Sequence, residues 1–207
     1  MYRLPKPTIS RLCQVFRILK NLDAQGIERV SSSQLAEHLG VGSHNIRKDI
    51  SHLSEQSSRG GGYYVKQLST IIAEKFGLER TRNMCIVGLG NLGQALLKLN
   101  YQPDIYQLVA GFDSNTNKVE TIHSPIPVYP AYNLPDIIQQ FNIEIAMLTV
   151  PTQSAQHVTD TLIDSGIRGI LNFTQHIITV PDKPVFVTHI DVMTELTILS
   201  SFITLKS

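Results

Sequence analysis

The sequence predicts an α/β protein: a doubly wound Rossmann domain preceded by an N-terminal winged-helix domain and followed by a domain-swapped C-terminal helix. Three observations predict it. Charge divides along the chain, with 13 Lys and Arg against 7 Asp and Glu in residues 1–82, and 5 against 10 in residues 83–207. From residue 84 onward, short apolar strands alternate with helical segments through short loops, as in a parallel sheet covered by helices. The first of those strands runs into Gly88-Leu89-Gly90-Asn91-Leu92-Gly93, a G-x-G-x-x-G between strand and helix. The expected boundaries are 1–80 for the winged helix, 81–188 for the Rossmann domain and 189–207 for the swapped dimerisation helix.

Residues 8–25 predict an amphipathic helix, because Leu12, Val15, Phe16, Leu19 and Leu22 recur at three- and four-residue spacing and Gly26 ends the run. Ser31 and Gln34 have capping-box spacing before a short helix carrying Leu35, Ala36 and Leu39. Gly40-Val41-Gly42 is a turn, and Ser43 is positioned to cap a third helix to about Ser54, with Ile46, Ile50 and Leu53 inward. Helix, glycine turn and helix make a helix-turn-helix. Ser57 to Gly62 reads as the tip of a wing, Tyr63-Tyr64-Val65 as strand, and 66–77 as the closing helix.

Met84 to Val87 is the first Rossmann strand, followed by a helix with Ala95, Leu96, Leu97 and Leu99. Leu108 to Phe112 is the second strand, ending at Asp113. Ile126 to Val128 is a short strand or edge, and Leu134 to Phe141 a helix with Asn133 as cap and Pro135 in its first turn. Ile145 to Val150 is continuously apolar, as buried parallel strands are. A helix from about Thr152 to Ser165 stops at Gly166, and Gly169 to Phe173 and Val185 to Val187 are the last strands. Asp191 can cap a helix from Val192 to Leu205. Apolar residues nearly encircle that helix, so it must be buried on several sides. Insertion into a second subunit achieves that; burial between the chain's own two domains is the alternative.

The hydrophobic content of 42% excludes a disordered or fibrous chain. No apolar run approaches the ~20 residues needed to cross a bilayer, and Met1 to Pro7 lacks the apolar core of a secretory leader. Two cysteines, Cys13 and Cys85, exclude a disulfide framework and suit a reducing cytosol, so the expected localisation is cytoplasmic. No metal site is expected, since histidines and cysteines lack ligand spacing, although His44 and His52 lie two turns apart on one helix.

The basic first part is a candidate for double-stranded DNA. Ser43, His44, Asn45, Arg47 and Lys48 on the third helix can donate to base edges and phosphates. Arg59, beside Gly60 at the wing tip, can enter a minor groove, and Arg11 joins the candidate contacts. In the acidic part, Gly88 allows the tight turn, Gly90 lets backbone approach a pyrophosphate, and Gly93 lets helix and strand pack. Asn91 and Leu92 complete the loop. Asp113 lies 20 residues past Gly93, where an acid accepts the adenosine ribose hydroxyls and repels a 2′-phosphate. No arginine follows it, so NAD is favoured over NADP. Lys118 is a further candidate, and Thr149, Val150, Pro151 and Asn172 stand at strand ends on the ligand side.

A winged helix, an NAD-type Rossmann domain and a swapped terminal helix together resemble the redox-sensing transcriptional repressor family Rex. The matching stretches include Ile9 to Leu12, Ile46 to Asp49, Arg59 to Tyr63, Gly88 to Leu96, Phe112-Asp113, Leu148 to Pro151, Gly166 to Phe173, and Asp191 with Glu195-Leu196. The resemblance implies a homodimer that binds a palindromic operator when NADH is low and is released from it by NADH. It implies that Arg17 pairs with Asp191 of the other subunit in the DNA-competent state. It also implies that Tyr101 is an aromatic that shifts with nicotinamide redox state. The chain departs from the family pattern in residues 51–58, in Asn172 to Gln175, at Glu120 and at Val192.

Two other readings remain open at this point. An NAD-dependent oxidoreductase would need an acid/base group by the nicotinamide, for which His157, His176 and His189 are candidates in no recognisable motif. A diverged DNA-binding paralogue could instead keep a Rossmann domain that no longer senses NADH or that binds another nucleotide such as CoA.

Overall fold

A computed structural model of the chain describes residues 4–53, 62–180 and 184–205. It divides into two units, Met1–Arg80 and Thr81–Ser207.

The first unit is built on α1 (Lys6–Ala24), α2 (Ser32–Leu39), α3 (Ser43–Ser51) and α4 (Val65–Phe76). Helix α1 starts two residues earlier than its apolar stripe predicts, because Pro7 fits a first helical turn that needs no N–H donor. Its stripe of Leu12, Val15, Phe16 and Leu19 is buried, worth roughly 2 kcal/mol per side chain relative to exposure. The capping box forms: Ser31 Oγ accepts from Gln34 N, and Gln34 Oε1 accepts from Ser31 N. Gly40 ends α2 in the left-handed conformation.

Ser43 does not cap α3. Gly42 is the cap residue, and Ser43 is already helical, with its hydroxyl accepting from Arg47 Nη1. The helix ends at Ser51 rather than Ser54, with Ile46, Asp49 and Ile50 buried and Leu53 half-buried. Two short strands, β1 (Arg29–Val30) and β2 (Tyr63–Tyr64), pair antiparallel as the base of a wing. β1 is too short to show a strand period, so its partner rather than its sequence makes it a strand. Val65 belongs to α4, not to the strand. The expected wing tip, with Arg59 and Gly60, lies outside the described residues.

The second unit is a six-stranded parallel sheet of β3 (Arg82–Val87), β4 (Tyr106–Asp113), β5 (Val128–Pro130), β6 (Ile145–Leu148), β7 (Gly169–Asn172) and β8 (Phe186–His189). The spatial order is β5-β4-β3-β6-β7-β8. This is the doubly wound order, with its switch point between β3 and β6, where a ligand binds beyond the strand ends.

Alternate side chains of the sheet face two layers. Cys85, Val87, Ala110, Phe112, Leu148 and Ile170 pack with α7 (Leu134–Gln140) and α8 (Ala155–Asp164). Met84, Ile86 and Met147 pack with Leu96 and Leu97 of α5 (Asn91–Leu97). β5 begins two residues after the expected Ile126, because pairing with Gly111, Phe112 and Asp113 fixes its register. The Asn133 side chain makes no capping bond to α7; that residue closes a 3-10 turn instead. Thr149 and Val150 lie beyond the end of β6, and Thr152–Ser154 form a 3-10 turn before α8. A helix not anticipated from the sequence, α6 (Thr116–Thr121), follows Asn115, which caps it by accepting from Lys118 N.

The last helix, α9 (Val192–Leu205), has no buried residue. Leu196, Leu199, Phe202 and Ile203 are among its exposed apolar side chains.

Candidate functional site: a braced glycine loop and a basic helix

The glycine loop is held from four directions. Gly88 N donates to Phe112 O at 2.8 Å, and Thr149 Oγ1 lies 2.6 Å from Gly88 O and 3.1 Å from Val87 O. Leu89 buries its side chain fully and gives its N–H to Asp113 Oδ2 at 2.8 Å. Gln94 Nε2 donates to Leu89 O at 3.0 Å. Gly88 has φ +97°, and a Cβ there would stand 2.8 Å from the Thr149–Val150 backbone. A Cβ on Gly93 would collide with the Gly88 carbonyl. A Cβ on Gly90 would meet nothing within 4 Å. The first and third glycines are thus required by packing, whereas the second stands against open space.

That space is a cavity of about 800 Å³, in the range for a small-molecule or cofactor site. Gly88, Gly90, Asp113, Lys118, Thr149, Val150 and Pro151 line it, so most expected cofactor residues come together. Gly93 braces the loop from behind. Asn91 and Leu92, on the first turn of α5, are exposed and are not among the lining residues.

Asp113 is 6% exposed, and both of its oxygens are occupied. Oδ1 accepts from Asn115 N at 2.9 Å, and Oδ2 accepts from Leu89 N and from Lys118 Nζ at 2.9 Å. The cap at Asn115 starts α6 and turns the chain so that Lys118 folds back onto Asp113. Burial alone would raise the Asp113 carboxyl; the hydrogen bonds from Asn115, Lys118 and Leu89 outweigh it and hold the group below its ordinary value. The Lys118 ammonium beside it partly offsets the Asp113 charge that the sequence expects to repel a 2′-phosphate.

Asn172 does not line the cavity. Its side chain is fully buried and bonded within the protein. Tyr101 stands on the other layer, packed against the Met84–Met147 cluster, with its hydroxyl donating to Leu96 O at 2.9 Å. It lines a separate cavity of about 420 Å³ with Met84, Tyr106, Met147 and Phe186. The cavity at the glycine loop is also lined by His157, named in the sequence only as a candidate acid/base group, and by Ser154, Val158 and Thr161, which the sequence did not point to. The spacing of His157, Val158 and Thr161 marks one face of α8, with Ser154 in the turn before it, the signal that could have placed them.

In the first unit His44, Arg47 and Lys48 are exposed, while Ser43 and Asn45 are half-buried. Arg47 Nη1 lies 3.2 Å from both Ser32 Oγ and Ser43 Oγ, at the starts of α2 and α3. Arg11, expected to touch DNA, instead donates Nε and Nη2 to Asp49 at 2.6 and 2.9 Å. That hydrogen bond raises the guanidinium's already high pKa. Arg17 is exposed on α1. Asp191 is exposed and caps α9, accepting from Met193 N, Thr194 N and Thr194 Oγ1. The Thr194 bonds lower its pKa. Burial pushes the Cys85 thiol up to about 12, so it is an inert core group. Among the described residues no cluster of three metal-ligating side chains occurs, and no helix is long and apolar enough to cross a membrane.

A basic helix-turn-helix with a wing, joined to a dinucleotide-type Rossmann unit, defines a ligand-responsive transcription regulator. Residues 3–51 match a family described as "Putative DNA-binding protein N-terminus", and residues 79–176 match the CoA binding domain family. The redox-sensing transcriptional repressor Rex of Ligilactobacillus salivarius is 40% identical over 97% of this chain and 94% of its own length. The Rex of Streptococcus agalactiae is 39% identical, covering 96% of each chain. The crystal structure of RSP, a Rex-family repressor, in complex with NAD⁺ and operator DNA matches with TM-score 0.88 and 28% identity, over 100% of this chain and 95% of that one. The chain belongs to the Rex family of redox-sensing transcriptional repressors.

Proposed function

We propose that this chain represses transcription by binding a palindromic operator as a homodimer and leaves the DNA when NADH binds its Rossmann unit. It works in the cytoplasm, as a regulator and not as an enzyme. Solved RSP structures carry NAD⁺ with operator DNA, and separately NADH. The observation that carries the reading is the braced loop beneath an open cavity: Gly90 faces free space, while Gly88 and Gly93 admit no side chain.

The residues present fit a dinucleotide. The N-terminal end of α5, from Gly90 onward, offers backbone N–H groups to the pyrophosphate. Asp113 and Lys118 meet the adenosine ribose as a pair, with the ammonium supplying a donor. Thr149, Val150 and Pro151 form the wall toward the nicotinamide half. Tyr101 stands outside that wall and responds indirectly.

On the DNA side, Ser43, His44, Asn45, Arg47 and Lys48 face the major groove, and Arg59 with Gly60 serve the minor groove. Arg11 acts through Asp49, which fixes α3. Arg17 and the partner-facing Asp191 form the switch between subunits. The test is operator binding at fixed salt, alone and with NADH or NAD⁺. The expected result is loss of binding with NADH and retention with NAD⁺. Binding indifferent to both would favour a diverged paralogue, and NADH oxidation with any carbonyl substrate would revive the oxidoreductase.

A further inference from the structure

At the carboxyl end of β7 the Asn172 side chain is 0% exposed, and its amide is fully used. Oδ1 accepts from Thr174 N at 2.9 Å. Nδ2 donates to His176 O at 2.8 Å and lies 3.0 Å from His189 Nδ1. The Thr174 N–H can only donate, so the amide oxygen must face it, and the nitrogen is thereby turned toward His189. An amide nitrogen can only donate, so His189 Nδ1 is the acceptor and its proton sits on Nε2.

His189 ends β8, and Ile190 N then donates to Asn172 O at 2.8 Å. Asp191 comes next and caps α9. One buried amide therefore joins the loop of residues 173–176 to His189, two residues before the Asp191 cap of α9. The loop stands beyond β7, on the side of the switch point opposite Asp113. Both Nδ2 hydrogens are satisfied in only one arrangement. A shift of Thr174 or His176 re-aims the amide and takes its donor from His189.

We infer that Asn172 is a positioning residue that carries movement of the 173–176 loop through His189 to Asp191 and α9. The inference rests on the proposed redox-repressor function and supplies one route from the end of β7 to α9. Such a link is a continuous hydrogen-bonded connection between the two segments, through which energetic coupling can run.

His189 is exposed, so replacing it spares the fold. In the full-length dimer, His189→Phe should leave NADH affinity and nucleotide-free operator affinity within about twofold of wild type. The factor by which NADH weakens operator binding should fall about fivefold, the worth of one hydrogen bond. His189→Asn, whose side-chain oxygen can accept from Asn172, should restore it. Wild-type coupling in His189→Phe would overturn the inference.

Hydrogen exchange of the nucleotide-free protein reads the same link without either ligand. His189→Phe should quicken exchange at Thr174 and His176 together with Met193 and Thr194. Quickening confined to one of these sites would also overturn it. If wild-type operator binding ignores NADH, the proposed function falls, and the exchange pattern still decides the link.

Discussion

Asp49 on α3 takes both Nε and Nη2 of Arg11 on α1, at 2.6 and 2.9 Å, while only 2% exposed. Thr8 Oγ1 adds a third bond at 3.0 Å. The helix proposed to enter the major groove is thus clamped to the scaffold helix by a nearly buried carboxylate. Removing one partner of such a pair leaves the other unmatched. Arg11→Ala is expected to cost about 2 kcal/mol of stability, less than a fully buried pair because the arginine is partly exposed. The slope of operator affinity against salt should not change, whereas a lost phosphate contact would reduce it by about one. Thermal unfolding and a salt titration separate the two outcomes.

Arg47 presents the opposite case. It is exposed, and serines hold it at the starts of two helices rather than a carboxylate. Its charge is therefore available to a phosphate or a guanine edge. Arg47→Ala should weaken operator binding by about 1–3 kcal/mol and flatten its salt dependence, with little effect on melting temperature. Binding curves at several salt concentrations check this; an unchanged curve would remove Arg47 from the interface.

Asp113 and Lys118 give a prediction about selectivity and one about pH. With Lys118→Ala, the Asp113 charge loses its nearest counter-ion and repels a 2′-phosphate more strongly. The preference for NADH over NADPH should rise about fivefold at low salt and less at high salt. The Asp113 carboxyl lies below its ordinary value in the folded chain. Its stabilisation is therefore complete above the unfolded aspartate pKa of about 3.9 and is lost as pH falls through the lower folded value. Asp113→Asn should flatten that acid-side decline in an unfolding series. It should also weaken NADH binding while leaving operator binding largely intact.

The three loop glycines should behave differently on substitution by alanine. Gly93→Ala places a methyl against the Gly88 carbonyl, and Gly88→Ala forces φ +97° on a residue with a side chain beside the Thr149 backbone. Both should destabilise the second unit, by about 1–3 kcal/mol or more. Gly90→Ala meets no protein atom, and its backbone has φ −68°. It should melt like wild type yet bind NADH at least tenfold more weakly, about 1.4 kcal/mol, if the space above it holds the pyrophosphate. Calorimetry of the three variants decides the matter, and tight NADH binding by Gly90→Ala would place the pyrophosphate elsewhere.

The sequence reveals most clearly what repeats or lies close together. The stripe Leu12, Val15, Phe16 and Leu19 is buried as its spacing requires, and the glycine fingerprint stands between strand and helix. Register and partnership across the chain are less legible. β5 follows β4 rather than its own apolar residues, and β1 exists because Tyr63 and Tyr64 lie opposite it. Arg11 resembles any exposed basic residue until the fold brings Asp49 to it from 38 positions away. Asn172 reads as a polar residue at a strand end, as a ligand contact would. Its true neighbours are Thr174 and His176 in the loop that follows, and His189 on the next strand.

Helix α9 supplies the last prediction. Leu196, Leu199, Phe202 and Ile203 are between 50% and 65% exposed, and no residue of α9 is buried in the single chain. Burying four such side chains is worth roughly 1.5–3 kcal/mol each, enough to hold a partner once ordering costs are met. The helix is also firmly started, because Asp191 accepts three hydrogen bonds from Met193 and Thr194. A preformed helix loses less entropy on docking than one that must fold. Deleting residues 191–207 should therefore give monomers or aggregates by light scattering, with operator affinity lost because the two half-sites are no longer bound together. Leu199→Glu is the milder test: it keeps the helix but places a charge on the surface to be buried, and it should shift the dimer toward monomer at low micromolar protein. A stable dimer from the truncated chain would show that α9 does not join the subunits.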